Sequence, residues 1–316
     1  MAQNKEKAQH ISRCLQLAII LEVSANKPGN VNFNASFEGT RIEHFLASAI
    51  AAGPSFQEAA ERGIQIAKNK RPISKAGLGE LIKSNVKDVM AWQHGGNTIL
   101  GTVMLFTPIA VAAGMTPTGE NFRMDFSFLR KNIDAVIKAS TATDSVHLYE
   151  AIDLAMPSGL NQAPDLSVSD PTSKERLIKE NITLYQVFEI AKDYDDICSE
   201  WIRNYPITFR LAYPYLTEQL KNVDESTAII NTFLKILSEH PDTFISRKAG
   251  IEKAKEISTQ AKQVLELGGA VTPDGMVAVA KFDRSLREAG NRCNPGTTAD
   301  ITAATLALCT LSGYRP

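Results

Sequence analysis

The chain has 316 residues, of which 44% are hydrophobic, so it is long enough to bury a substantial core. Its 34 Lys and Arg nearly balance its 35 Asp and Glu, giving a formal net charge of −1, so no basic excess indicates a nucleic-acid or membrane-surface partner. The four cysteines and five histidines show no paired spacing, which argues against a disulfide framework or a zinc site and predicts a reduced, cytoplasmic protein.

Helical periodicity dominates the first third of the chain. The stretch "HISRCLQLAIILEVSA" predicts an amphipathic helix that ends at the Pro28-Gly29 breaker. The alternating stretch "VNFNASF" is the best strand candidate, although it is rich in asparagine. The apolar run over residues 99–114 is too short to span a bilayer and contains Pro108. It therefore predicts a buried core helix that kinks or ends near Pro108.

The same periodicity continues in the second half. Residues 180–201, "ENITLYQVFEIAKDYDDICSEW", predict one helix, and Ser226 is a reasonable N-cap for another. Few stretches read as strands between helices, so we predict an all-α fold. We expect one multi-helix globular domain over residues 1–316 with a central buried helix bundle. The polar segment 158–175 is the best candidate boundary.

Three short stretches share small polar residues, glycine and a neighbouring helix. They are "NKPGN" (26–30), "HGGNT" (94–98) and "NPGTT" (294–298). Glycine allows close approach of a ligand, and a helix N-terminus offers unpaired N–H groups to an anion. Ordinary helix capping explains any one of them equally well. Three in one chain make phosphate binding a hypothesis worth testing.

Acidic and basic residues extend that hypothesis. Asp300 is expected in the first turn of the last helix, where it either complements the helix dipole or recruits Mg²⁺ to a bound polyphosphate. Glu38, Asp242 and Asp283 are further acids of interest. In "DTFISRKAG", Arg247 and Lys248 are either a solvated surface pair or phosphate ligands. No Walker loop is present, so a nucleotide would bind by an uncommon route.

Four of these stretches, in order, suggest a family. "EVSANKPGNV", "GGNTILGTVML", "DTFISRKAG" and "NPGTTADITAATLAL" together resemble triphosphoribosyl-dephospho-CoA synthases, in particular archaeal-type members. The likeness runs from about Leu17 to Gly313. It implies an all-helical transferase of cofactor biosynthesis that uses ATP as substrate. Such an enzyme joins the 2′-hydroxyl of dephospho-CoA to C1 of the ribose of ATP and releases adenine.

The resemblance also implies roles for the residues above. Asp242 and Asp300 would hold Mg²⁺ or act as the catalytic base, two roles that the sequence does not separate, and Glu38 is a third candidate metal ligand. The residues expected to bind the nucleotide are Lys27, Gly29, Asn97, Thr98, Ser246, Arg247, Lys248, Asn294, Thr297 and Thr298.

The chain departs from the family pattern at two places. Ile99-Leu100 follow the Asn-Thr pair where citrate-lyase-associated members have a basic residue, and Asn26 stands where a proline is usual. A lost charge near the triphosphate leaves room for another hydroxyl acceptor or another nucleotide. Two alternatives therefore stay open: another ATP-using enzyme, such as a phosphoryl transferase or ligase, and a non-catalytic nucleotide-binding protein. A homodimer is also possible.

Overall fold

The computed structural model describes residues 2–157 and 165–316. Within these ranges the chain forms fifteen α-helices and no β-strand, which confirms the all-helical class. Short 3₁₀ turns occur at Ile73–Lys75, Glu120–Phe122 and Gly290–Cys293, and a π-helical segment covers Ile207–Ala212. The α-helices are α1 (Ala2–Ser24), α2 (Ile42–Ala67), α3 (Leu78–Trp92), α4 (Leu100–Met115), α5 (Phe126–Lys138), α6 (Ala142–Ala155), α7 (Ser173–Lys179), α8 (Leu184–Ala191), α9 (Asp196–Ile202), α10 (Tyr213–Gln219), α11 (Glu225–Glu239), α12 (Thr243–Ala249), α13 (Ile251–Glu266), α14 (Pro273–Glu288) and α15 (Gly296–Leu311).

Two helices form the centre of the molecule. Both α4 and α15 are apolar on nearly every side and almost entirely buried, as expected for helices without a polar face. They pack against each other and against α1, and α2 packs on α1 and α4. Apolar side chains between Ala8 and Leu311 join one continuous buried cluster. This arrangement is the expected central bundle. Residues 158–164 of the candidate boundary lie outside the described residues.

The helix α4 continues through Pro108, where the sequence predicted a kink or an end. Proline has no N–H, so the carbonyl of Met104 loses its helical partner. The indole Nε1 of Trp201 donates to that oxygen at 3.1 Å, and the hydroxyl of Tyr205 donates to the next carbonyl, Leu105 O, at 2.8 Å. Two aromatic side chains thus satisfy the backbone around the proline, and the helix persists.

Local expectations differ from the structure at further places. "VNFNASF" forms only isolated backbone pairs, Asn32 with Ala35 and Phe37 with Thr40. The N-cap of α11 is Asp224, whose side chain accepts from Thr227 N at 3.0 Å, so Ser226 lies inside the helix.

The predicted helix 180–201 is two helices, α8 and α9. Asp195 breaks it because its carboxylate accepts from the N–H groups of Ile197 (2.9 Å) and Cys198 (3.2 Å) and begins a new helix there. Hydrophobic periodicity runs on across the break, which is why the pattern alone did not reveal it.

None of the helices within the described ranges combines the length and apolar character needed to cross a bilayer.

Candidate active site

A cavity of about 710 Å³ opens where the N-terminal ends of α4 and α15 meet the C-terminal end of α1. Its volume lies within the range typical of small-molecule sites. Apolar side chains form much of its wall, and polar groups are gathered at these helix ends. The polar and charged lining residues include Glu22, Asn30, Asn97, Thr98, Thr102, Asp195, Arg247, Asn291, Asn294, Thr297 and Asp300.

The structure brings part of the predicted set to this cavity. The predicted residues that line it are Asn97, Thr98, Arg247, Asn294, Thr297 and Asp300. The predicted residues that are not among its lining are Lys27, Gly29, Glu38, Asp242, Ser246, Lys248 and Thr298. Three segments distant in sequence therefore converge as the phosphate hypothesis requires, and their roles stay predictions.

Asp300 lies one turn further along α15 than the sequence predicted. Since α15 begins at Gly296, Asp300 is in its second turn. Thr102 donates to its carboxylate through its hydroxyl, 2.5 Å from Oδ1, and through its backbone N–H. Burial, assisted by repulsion from Glu22, raises the pKa of Asp300 to about 7. A carboxyl with this pKa is partly ionised at neutral pH and suits a general base.

Gly101 makes room for this acid. A Cβ at that position would stand 2.1 Å from Oδ2 of Asp300, closer than any side chain tolerates. Glycine at this position therefore allows the carboxylate of Asp300 to approach the N-terminal end of α4.

Asp242 is buried and serves two helices. Its Oδ1 accepts from Ile245 N at 3.0 Å and so caps α12. Its Oδ2 accepts from the backbone N–H (2.7 Å) and hydroxyl (2.8 Å) of Thr298, in the first turn of α15. Burial raises the pKa of Asp242, and these hydrogen bonds oppose the rise. The residue joins two helix N-termini.

At two of the predicted phosphate sites, the N-termini of α4 and α15, a carboxylate of the protein itself already accepts hydrogen bonds from the helix N–H groups. Asp300 occupies the first turn of α4, and Asp242 occupies that of α15. The side chain of Asn97 accepts from Leu100 N, at the first residue of α4, at 3.1 Å, while Thr98 shares a 2.7 Å hydrogen bond with Ser48. The capping interpretation therefore accounts for much of these motifs, and any phosphate must bind beside the caps.

Arg247 is the predicted basic residue that faces the cavity. It pairs with Asp195, and its guanidinium lies 5.8 Å from the ring centroid of Phe244. The neighbouring Lys248 instead stacks its ammonium 4.0 Å above the same ring and donates to Asn291 O at 3.3 Å. Burial, followed by repulsion from Arg247, lowers the pKa of Lys248. Adjacent residues in sequence thus have different surroundings.

Three further asparagines line the cavity, Asn30, Asn291 and Asn294. Asn30 Nδ2 donates to Asn294 Oδ1 at 2.5 Å, and Asn294 Nδ2 donates to Asn291 Oδ1 at 3.1 Å. The loop that carries Asn30 is held by Gly29, whose N–H donates to Asp283 at 2.8 Å. Gly29 and Asp283 therefore fix the position of this loop and do not line the cavity themselves.

The structure does not bring Glu38, Asp242 and Asp300 together. Among the residues it describes, no group of three or more His, Cys, Asp or Glu is arranged to hold a metal ion. A Mg²⁺ ion that binds with a nucleotide needs only one or two carboxylates, because phosphate oxygens supply other ligands. Asp195 beside Arg247 fits that requirement, as does Asp300.

Sequence reasoning missed three acids that line the cavity: Glu22, Asp165 and Asp195. Glu22 lies at the end of α1 and pairs with Lys27, and Asp195 lies at the unpredicted break before α9. A signal for the first was available, because a glutamate inside an apolar helix end with a lysine five residues later predicts a buried pair.

Comparisons with known proteins identify the family of the chain. Residues 8–316 match the family model described as ATP:dephospho-CoA triphosphoribosyl transferase. A protein of Azotobacter vinelandii assigned as a 2-(5″-triphosphoribosyl)-3′-dephosphocoenzyme-A synthase is 22% identical over 83% of this chain and 76% of its own length. Protein CitXG of Leuconostoc mesenteroides subsp. cremoris is 24% identical over 93% of this chain, which spans 57% of that relative.

A solved structure shares the fold. The crystal structure of a chain from Archaeoglobus fulgidus, assigned as a triphosphoribosyl-dephospho-CoA synthase, superposes with a TM-score of 0.64 at 24% identity. The match covers 87% of this chain and all of the other. With the family match extending over nearly the whole sequence, the chain belongs to the ATP:dephospho-CoA triphosphoribosyl transferase family, a family of transferases.

Proposed function

We propose that this protein transfers the 5-triphosphoribosyl group of ATP to a hydroxyl acceptor and releases adenine. Family membership favours the 2′-hydroxyl of dephospho-CoA as the acceptor. The observation that carries the proposal is a single cavity lined by Arg247 and by the carboxylates of Glu22 and Asp300. The guanidinium suits the triphosphate of ATP, and the carboxylates suit its ribose.

The phosphate end of the substrate fits Arg247. A guanidinium offers planar, paired donors that match phosphate oxygens. Thr297 and Asn294 add small polar groups to the same cavity. Magnesium, the expected companion of ATP, would be held by phosphate oxygens and Asp195, where it would neutralise part of the triphosphate charge. Because the triphosphate stays on the product, the site must bind this group without cleaving it.

The ribose of ATP fits the carboxylates of Glu22 and Asp300. Loss of adenine gives C1 of the ribose the character of an oxocarbenium ion, which nearby negative charge stabilises. In this proposal Asp300 takes the proton of the attacking hydroxyl, and its pKa of about 7 supports the role, because such a carboxyl is both available as a base and able to release the proton. Asp242 is buried away from the cavity lining, so we assign the base role to Asp300.

Product analysis tests this function. The purified protein is incubated with ATP, Mg²⁺ and dephospho-CoA, and the base and the adduct are identified by mass spectrometry. The proposal expects free adenine and an adduct that carries three phosphates on the transferred ribose. Formation of ADP or AMP would instead identify a phosphoryl transferase or ligase. ATP binding without turnover across a panel of hydroxyl acceptors would identify a nucleotide-binding protein.

A further inference from the structure

Glu22 is a carboxylate in apolar surroundings. It occupies the last turn of α1 between buried Leu21 and Val23, and only 7% of its surface is exposed, yet it lines the cavity. A carboxylate held at such a place requires a partner, because burial disfavours its charge. The residue is not needed to cap or join helices in the way that Asp242 is.

Lys27 is that partner, and its ammonium is fully committed. The side chain is completely buried. Its Nζ lies 2.9 Å from Oε1 of Glu22, donates to the backbone carbonyl of Glu22, and donates to Ala25 O at 3.2 Å. An ammonium has three donors, so these contacts account for all of them. Lys27 therefore has no donor left for a phosphate in this arrangement.

The turn that carries Lys27 is itself held in place. Its N–H donates to Ala25 O at 2.7 Å, and its carbonyl accepts from Asn30 N at 3.3 Å. Gly29 follows with a φ of +72°, and a Cβ there would meet Leu286 at 2.8 Å. The lysine thus approaches Glu22 from a turn fixed against α14, and it is not itself among the lining residues of the cavity.

Glu22 and Asp300 have different surroundings at one cavity. Glu22 faces the fixed cation of Lys27, whereas Asp300 faces the hydroxyl and N–H of Thr102 and is repelled by Glu22. Burial raises the pKa of both acids, but the attraction of Lys27 opposes the rise at Glu22, whereas the repulsion from Glu22 adds to the rise at Asp300. Two acids whose surroundings push their pKa values apart commonly divide the acid–base and electrostatic work of a reaction.

We propose that Glu22 is a catalytic residue of the transfer and that Lys27 is its positioning residue, holding the carboxylate ionised against the sugar carbon. This inference rests on the proposed function. In the reaction the bond between C1 and adenine N9 breaks, and its electron pair leaves with adenine. The acceptor oxygen forms the new bond to C1. Its proton passes to Asp300 and is finally gained by adenine, so no further reactant is needed, and Glu22 stays ionised throughout.

Four proteins test the inference: wild type, Glu22→Gln, Lys27→Met and the double variant. We measure kcat and KM for adenine release and the Kd of ATP by calorimetry. Glu22→Gln should lower kcat by about 100-fold or more, as loss of transition-state electrostatic stabilisation does, with KM and Kd nearly unchanged. Lys27→Met should lower kcat as well. It should add little in the Glu22→Gln background, because the lysine acts through the glutamate.

Other results would overturn the inference. If Lys27→Met raised the Kd of ATP 10-fold or more at unchanged kcat, the lysine would be a phosphate ligand. If Glu22→Gln turned over like the wild type, the glutamate would not be catalytic. Thermal melting checks each fold, and if Lys27→Met fails to fold, the kcat-against-Kd result for Glu22→Gln decides. A wild type that binds ATP but releases no adenine would instead refute the proposed function itself.

Discussion

At the residue scale, two aspartates at helix N-termini serve different purposes. Asp242 and Asp300 both accept hydrogen bonds at helix N-termini, but only Asp300 lines the cavity. The sequence indicated both positions, Asp300 at the start of an apolar helix and Asp242 in a stretch that carries the family resemblance. It could not separate their roles, since which acid meets the cavity depends on how α4, α12 and α15 pack.

Replacing each acid by asparagine separates these roles. Asp300→Asn should reduce adenine release by about 100-fold or more, since the base is lost. It should raise the melting temperature at pH 8 but not at pH 5. The reason is that ionised Asp300 is disfavoured by burial at pH 8, and the amide oxygen still accepts from Thr102. Scanning calorimetry at the two pH values measures this.

Asp242→Asn is the matched comparison. Both oxygens of Asp242 accept from N–H groups, so an amide NH₂ would face a donor. We expect a loss of about 1–3 kcal/mol in the free energy of unfolding, measured by urea denaturation. Equal stability changes for the two variants would contradict the assignment of one acid to the cavity and the other to the scaffold.

Arg247 and Lys248 offer a second contrast between neighbours. Arg247→Ala should weaken ATP binding by about 1.5–3 kcal/mol, the value of a charge-assisted contact. Lys248→Ala should weaken it less, because its ammonium lies over Phe244 and outside the cavity lining. Calorimetric titration of ATP into both variants gives the comparison. A larger loss for Lys248→Ala would place the phosphates elsewhere.

At the element scale, apolar composition predicted burial better than it predicted boundaries. α4 and α15 have no polar face, and both are central. The course of α4 through Pro108 could not be predicted, because Trp201 and Tyr205 supply the missing hydrogen bonds from about 100 residues away in sequence. The break at Asp195 has a different cause. Asp195 caps a new helix locally, but the apolar pattern runs on across it and predicted one continuous helix.

The support of α4 by Tyr205 can be measured. Tyr205 is fully buried, so Tyr205→Phe leaves the carbonyl of Leu105 without its 2.8 Å donor. We expect the free energy of unfolding to fall by about 1–3 kcal/mol. The half-buried Tyr185 provides a control, and Tyr185→Phe should change stability little. If urea denaturation shows no difference between the two variants, the hydroxyl does not stabilise the helix.

At the scale of the whole molecule, buried acids predict how stability depends on pH. Burial raises the pKa values of Asp196, Glu200 and Asp300 to about 7 each. In the unfolded chain these groups titrate near pH 4, so between about pH 4 and pH 7 the folded protein binds more protons than the unfolded chain. These three acids therefore make stability fall as the pH rises through this window, and they outnumber His10 and His240, whose pKa values are lowered by burial and which act in the opposite direction.

Urea denaturation of the protein without nucleotide from pH 5 to pH 8 measures this dependence. The free energy of unfolding should decrease over the range, and Asp196→Asn should flatten part of the decrease. Exposed acids with lowered pKa values, such as Asp165 and Asp170, titrate below this window and do not reverse its sign. Stability that rises with pH would show that the three buried acids are ionised at little cost.

The central claim is that one cavity holds the triphosphate near Arg247 and the ribose between Glu22 and Asp300. A crystal structure of the Asp300→Asn variant with ATP, Mg²⁺ and dephospho-CoA tests it most directly. We predict phosphate oxygens in contact with the guanidinium of Arg247, and C1 of the ribose beside Glu22 and residue 300. A nucleotide bound outside this cavity, or one whose phosphates face Glu22, would contradict the account.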